Sequence, residues 1–409
     1  MKVRAITLFS PLNWPFNLNA IHSAGRFLEF AREQIEAIGY EVQTLRLATP
    51  PFMDLLGDPE PKTLLDFAAT LEKHTLQHGI GYTSIGPVMA TTPRSLLSPI
   101  HVLPDLIAAT ETIFTSVLAA SVTTGVNLAA IKATAQAIHK IGQITPQGFG
   151  NLRFAMLANV LPGGPFFPGA YHDSSNPAFG IATEAADLAI NAFKDARSLE
   201  QAQENLINAL DDHAAKLMEV VEFLVDEHNL QFSGLDFSLA PGPADQCSIG
   251  AAMEQLGLEA FGGHGTLFAT AFLTNCIQSA NIPMAGYSGV MLPVLEDNIL
   301  AQRGGEDGYT VNDLLLYSAV CGTGLDTVPI PGDTTPEQIA ALLLDVATLS
   351  LSLNKPLTAR LLPVPGLKAG DTTQFNFEFF TNSKVLPLKT KSAPKIFSKA
   401  YFWGLRPRK

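Results

Sequence analysis

The chain has 409 residues, enough for one large α/β domain or two smaller ones. It is 47% hydrophobic and only 16% charged, with a mean hydropathy of +0.19, so few residues remain to coat a surface. A formal net charge of −12 opposes binding to nucleic acid, whose phosphates call for a basic face.

A large buried sheet, or burial of surface between copies in a homo-oligomer, reconciles that hydropathy with solubility. Cys247, Cys276 and Cys321 are far apart and odd in number, which excludes a disulfide framework and offers no CxxC metal spacing. No uninterrupted apolar run reaches the roughly 18–20 residues that cross a bilayer. The nearest, 339–353, is broken by Asp345 and several hydroxyl residues. The start, MKVRAITLFSPLNW, lacks the apolar region and cleavage site of a signal peptide, so a cytoplasmic protein without a transmembrane segment is expected.

Strand-like and helix-like segments alternate along the chain. VRAITLF, 3–9, reads as a strand; 19–38 follows with apolar residues at helical spacing and a Gly39 stop. A strand over 41–47, a helix over 63–77, a short strand over 80–85 and a helix over 126–141 come next. The apolar run 152–160 suits a strand buried on both faces. The helix over 199–229 opens with Ser198 and Gln201 in capping-box spacing and lines one face with Leu206, Leu210, Leu217, Val221 and Leu224. A strand over 235–239 and a helix over 266–278 follow, and Thr335-Pro336-Glu337-Gln338 is a further helix start. A strand over 357–362 closes the pattern. Repeated β-then-α units with short links predict a largely parallel sheet, open or closed into a barrel.

The chemically capable side chains of the central stretch sit in Gly/Pro-rich segments beside strand-like runs, where α/β proteins build pockets. In FGGHGT, Gly263 and Gly265 let the backbone turn around His264. With Thr266 opening a helix, its free N–H groups would favour an anion, and the imidazole could serve as acid, base or ligand; a turn histidine bonded to backbone is the alternative. LDFSLAPGP puts Asp236 and Ser238 on one face of a strand, where a buried carboxylate needs a cation, a metal, a histidine or loop amides. Glu296 and Asp297 are adjacent, so only one of them enters a pocket, and a solvated acidic turn is the alternative for both.

In VCGTGLD, Cys321 meets the Gly322–Gly324 turn, which would form an oxyanion-type nest beside a nucleophilic thiol or a plain backbone wall; Asp326 follows, and Asp333 lies in IPGDTTP. His172 ends the turn-rich PGGPFFPGAYH and could join His264, Asp236, Glu296 and Asp297 around a divalent metal. There is no GxxxxGK[ST], HExxH, GxSxG or full GxGxxG after a strand.

After about residue 366 the chain changes character. Residues 384–409 carry eight basic and no acidic residues, with Phe397, Tyr401, Phe402 and Trp403 interleaved. The expected organisation is a body over 1–366 and a tail over 367–409 docked on the acidic body or a neighbouring subunit, in preference to an anionic surface.

The segments VRAITL, TTGVNLAAI, FAMLANV with PFFPGAYH, LDFSLAPGPA, LGLEAFGGHGT, PVLEDN, VCGTGLDTVPIPGDTTPEQIAALL and TARLLPVPG, in this order, resemble the family known as domain of unknown function 711. The resemblance implies a ten-stranded α/β barrel similar to pyruvate formate-lyase-like glycyl radical enzymes, and a small ACT-domain protein as a partner. The fold analogy invites radical chemistry, and the residues argue against it: Gly286-Tyr287 and Gly308-Tyr309 lack the glycyl-radical context, and no cysteines are adjacent. The expected function is an enzyme on a small polar or anionic metabolite, of lyase, isomerase or hydrolase type. His264, Asp236, His172 and Cys321 would be catalytic, and Gly263, Gly265, Thr266, Ser238, Gly322, Gly324 and Asp326 would bind substrate. A metabolite-binding regulator without catalysis and an oligomeric structural protein are the alternatives.

Overall fold

Eleven strands carry the fold: β1 (Lys2–Phe9), β2 (Leu45–Ala48), β3 (Tyr82–Met89), β4 (Ile113–Ser121), β5 (Gly125–Asn127), β6 (Phe154–Ala158), β7 (Ala178–Glu184), β8 (Gln231–Asp236), β9 (Gly324–Pro331), β10 (Leu357–Val364) and β11 (Phe402–Trp403). They belong to a computed structural model that describes residues 1–389, 391–398, 402–405 and 407. Their order is β8-β7-β1-β2-β3-β4-β6-β10-β9, with β5 on β4 and β11 on β5. Five parallel strands, β1-β2-β3-β4-β6, form the centre. A parallel pair joins each flank antiparallel, β7-β8 on β1 and β10-β9 on β6. The central strands are nearly all buried, as expected where helices cover one face and the sheet curls over the other.

The single α/β domain differs from a closed ten-stranded barrel. The ladder ends at β8 and β9, and among the described residues no strand joins them. The run 283–294 crosses the gap with isolated parallel bridges, Leu235 to Met284, Leu239 to Val290 and Pro293 to Asp326. Gly286, Gly289, Pro283 and Pro293 in this run break the alternation a continuous strand needs.

The helices start where capping chemistry puts them. Asn17, Asn127 and Ser198 each accept a backbone N–H of the helices Leu18–Ala37, Leu128–Ile144 and Leu199–His228. The Ser198 box is half-formed, because the Gln201 side chain accepts from Arg197 N–H, one residue earlier than a full box requires. Thr335 and Gln338 form the complete reciprocal box of Pro336–Leu353. That helix is the one described segment long and apolar enough to cross a membrane by length and composition; it packs on Leu128–Ile144, β6 and β10.

Beyond β10 the chain lies against the sheet. Leu386 N–H donates to the Pro329 carbonyl of β9 at 2.9 Å, and Thr381 N–H to that of Leu295 at 2.7 Å. Phe375, Phe380 and Val385 pack with Leu152, Leu295, Leu362 and Val364 in a cluster separate from the main core. Lys384 pairs with Asp307 at 3.3 Å, and β11 pairs with β5. Thr390, Lys399, Ala400, Tyr401, Arg406, Arg408 and Lys409, part of the basic tail, lie outside the described residues.

Candidate functional site

Arginine inside an apolar strand needs a partner or a cavity, and three such arginines meet here. Arg4 (β1), Arg46 (β2) and Arg360 (β10) line one cleft of about 870 Å³, counting its open mouth. Four strands separate β1 from β10 along the sheet, yet Arg4 and Arg360 both pair with Glu296, so the sheet curls around the cleft. Glu296 bonds the Arg360 Nη2 through Oε1 at 2.9 Å and Arg4 through Oε2. Arg4 also pairs with Glu184 at 2.9 Å, and the Arg360 Nε donates to Asp326 Oδ1 at 2.6 Å. Ion pairing holds the Arg4 and Arg360 guanidiniums above their ordinary pKa against the opposing cost of burial, the largest single influence on each.

Arg46 differs. It is 7% exposed, and among the described residues its side chain makes one hydrogen bond, from Nε to Thr44 Oγ1 at 2.8 Å. No carboxylate among the described residues pairs with it. Its guanidinium carbon lies 5.6 Å from the Tyr82 ring centre and 5.2 Å from that of Phe167, and Phe114 packs between those two rings. Burial, reinforced by the charges of Arg4 and Arg360, pushes its pKa down to about 9, so it stays charged at neutral pH. Phe166, Phe167, Phe377 and Phe379 complete an aromatic wall.

The loop that supplies Phe166–Gly169 is pinned within the curl of the sheet. Thr7 Oγ1 donates to the Pro165 carbonyl at 3.0 Å and Ser84 Oγ to that of Ala170 at 2.7 Å. His172 ends this loop outside the cleft. It is 4% exposed, its ring stacks on Phe9 at 6.3 Å, its Nε2 has no partner among the described residues, and burial lowers its pKa.

The expected site residues separate into two groups. Glu296 and Asp326 line the cleft. Asp297 points away, as adjacency requires, and caps two helices: it accepts Ser248 Oγ at 2.6 Å and the N–H groups of Ile249 and Leu300 at 2.6 and 2.9 Å. Asp236 is fully buried and accepts Ser238 Oγ at 2.6 Å, Tyr287 N–H at 2.7 Å and Ser288 N–H at 3.0 Å. Burial outweighs these bonds and raises its pKa to about 6. Asp236 and Ser238 therefore clamp the 285–289 turn instead of facing the cleft.

His264 is exposed, as are Gly263 and Gly265, and none of them lines the cleft. Their turn is closed by Gly262 N–H donating to Thr266 Oγ1 at 3.0 Å, so Thr266 is a buried structural partner. Cys321 is buried, and the proposed nest is already spent: Gly322 N–H donates to the Val290 carbonyl at 2.7 Å and Gly324 N–H to Cys321 Sγ at 3.3 Å. A Cβ on Gly322 would fall 3.0 Å from Gly289 Cα, so glycine is required for two backbones to cross. Between them Thr323 reaches the cleft. Asp333 is exposed in its turn. The set His172, Asp236, His264, Glu296 and Asp297 is thus dispersed, and among the described residues no three His, Cys, Asp or Glu side chains gather as metal ligands.

The arginines and aromatics of the cleft were not singled out in the sequence. Their signal is a lone charge flanked by apolar residues, in VRAITL, LRLA and TARLLP.

Comparison with known proteins adds the family. The model described as uncharacterised ACR (DUF711) matches residues 1–381, and so includes Phe375–Phe380 beyond β10. A UPF0210 protein of Pyrobaculum arsenaticum is 33% identical over 366 residues, covering 85% of this chain and 79% of its own. UPF0210 proteins of Neisseria meningitidis and Oenococcus oeni are 28% and 26% identical, covering 91% and 93% of this chain and 85% and 86% of theirs. With its model spanning strands β1 to β10 and the cleft they enclose, the chain belongs to the DUF711 family.

Proposed function

We propose that the cleft binds a small anionic metabolite on Arg46 and that the protein transforms it by proton transfer through Asp326. The observation that carries this reading is the buried guanidinium of Arg46, which no carboxylate pairs with among the described residues. Holding such a cation out of water costs several kcal/mol, and Arg4 and Arg360 add repulsion. A carboxylate or phosphate entering the cleft would offset both, forming the charge-assisted, two-pronged bonds that guanidinium favours. The aromatic wall suits an apolar portion of the same ligand.

Asp326 is the cleft carboxylate with an oxygen to spare. Arg360 fixes Oδ1, while Oδ2 has no hydrogen bond among the described residues. Both Glu296 oxygens are engaged by arginines. A positioned base beside an anion anchor suits an isomerase or lyase that removes a proton from carbon. Among the described residues the lining carries no Cys, His or Ser, which counts against a hydrolase working through a cysteine or serine nucleophile. The same lack favours a second reading, a metabolite-binding regulator without turnover, with an ACT-domain protein as its partner.

Calorimetric titration with inorganic phosphate and short-chain carboxylates should show binding that Arg46→Met abolishes. Absence of Arg46-dependent binding would end the reading. NMR in D₂O then separates enzyme from regulator. Exchange of carbon-bound hydrogen for deuterium, lost in Asp326→Asn, supports catalysis; binding without exchange supports the regulator.

A further inference from the structure

Arg46 accounts for the charge of a ligand but not for two other features of the same cleft. The hydroxyls of Tyr287 and Thr323 are both buried, and neither has a hydrogen-bond partner among the described residues. Both residues line the cleft, and Thr323 is only 3% exposed. A buried hydroxyl left unpaired costs about 1–3 kcal/mol. Both belong to residues of one cleft, whose wall therefore carries two hydroxyls with unused hydrogen-bonding capacity.

The backbone holds both residues in place. Tyr287 N–H donates to Asp236 Oδ2 at 2.7 Å, and a Cβ on Gly169 would stand 2.7 Å from the Tyr287 hydroxyl, so the phenol tip fits against a bare backbone. Thr323 is carried by the turn in which Gly322 crosses Gly289. The two hydroxyls therefore come from interlocked segments, 285–289 and 321–324. Both segments are held in place before a ligand arrives, which lowers the cost of binding. Burial raises the Tyr287 pKa well above its ordinary value, so the phenol remains a donor across the physiological range.

We propose that Tyr287 and Thr323 form a second recognition point that accepts an oxygen substituent, so that the ligand is an oxygen-bearing acid: a hydroxy or oxo acid with its anion on Arg46. This rests on the anion reading given above and narrows it. Tyr287 donates to the carbonyl or hydroxyl oxygen, while Thr323 donates or accepts as the group requires. An acid without that oxygen would fill the same space and leave both hydroxyls unpaired.

The test uses matched pairs of acids on the full chain: propionate with lactate, and 3-phenylpropionate with 3-phenyllactate. Calorimetric titration should give each hydroxy acid at least about tenfold tighter binding than its partner. Tyr287→Phe and Thr323→Val should each shrink that ratio towards one while leaving the weaker acid's affinity unchanged. Since the Tyr287 hydroxyl bonds nothing among the described residues, Tyr287→Phe should keep the melting temperature at or above that of the parent. Equal, Arg46-dependent affinity within both pairs would overturn the second recognition point and leave the anion site standing. No Arg46-dependent binding of any of the four would overturn both.

Discussion

Two buried carboxylate environments in this molecule show how the choice of partner decides what an acid does. Asp236 is held by neutral donors, two backbone amides and a serine hydroxyl, with no cation beside it. Its ionised form is poorly compensated, its pKa rises to about 6, and it serves as a clamp on a turn. Glu296 and Asp326 are held by guanidiniums, which are themselves anchored in opposite parts of the sheet. That network keeps charge at the wall of a cavity. Hydrogen bonds from amides fix a turn, and the arginine lattice lines a cleft.

The contrast can be broken at three points, in decreasing order of effect. Arg360→Met removes the shared partner of Asp326 and Glu296 and leaves the former without a cation. Chemical denaturation should report a loss of about 3 kcal/mol, as for other ion networks broken from one side. A loss below about 1 kcal/mol would mean that water in the cleft already screens the network. Gly286→Ala strikes the clamp. The new Cβ would fall 2.1 Å from Asp236 Oδ2, at a φ of +62° that alanine adopts reluctantly. A cost of about 2–3 kcal/mol is expected, seen as a lower melting temperature.

The third point sharpens the comparison through pH. The folded Asp236 pKa, about 6, lies above its ordinary 3.8, so the folded state holds the proton more tightly than the unfolded one. The stability this contributes is complete below about 3.8 and is lost as pH rises through 6, a swing of roughly 1–3 kcal/mol. Measured between pH 4 and 7, the stability of the parent relative to Asp236→Asn should fall with rising pH. A difference that rises with pH would show that Asp236 is stabilised as a carboxylate, like Asp326.

Much of the fold was legible in the sequence because capping chemistry and apolar periodicity are local. Pro336–Leu353 begins where Thr335 and Gln338 place it, and the long helix ends at Asn229 in the left-handed region. Strand β9 was hidden by Pro329 and Pro331, tolerated because it ends the sheet path. Strand β7 was hidden by its glycine and small residues. In the site, the adjacency of Glu296 and Asp297 correctly implied that one faces inward and one outward. The glycine-rich turns misdirected attention to His264 and Cys321, since glycine serves close backbone crossing as readily as ligand approach. The arginine lattice was invisible as a unit because Arg4, Arg46 and Arg360 meet only once the sheet curls. Their partners Glu184, Glu296 and Asp326 are scattered over the same span.

The cleft wall draws on both extremes of the described chain, Arg4 from the first strand and Phe377 and Phe379 from beyond the last long one. During synthesis the central strands can pair and collect their helices while this wall is still missing a side. The cleft is therefore complete only after residue 379 has joined it. Until then the aromatic faces of Phe114, Phe166 and Phe167 stand open, an interval in which the nascent protein is most exposed to self-association.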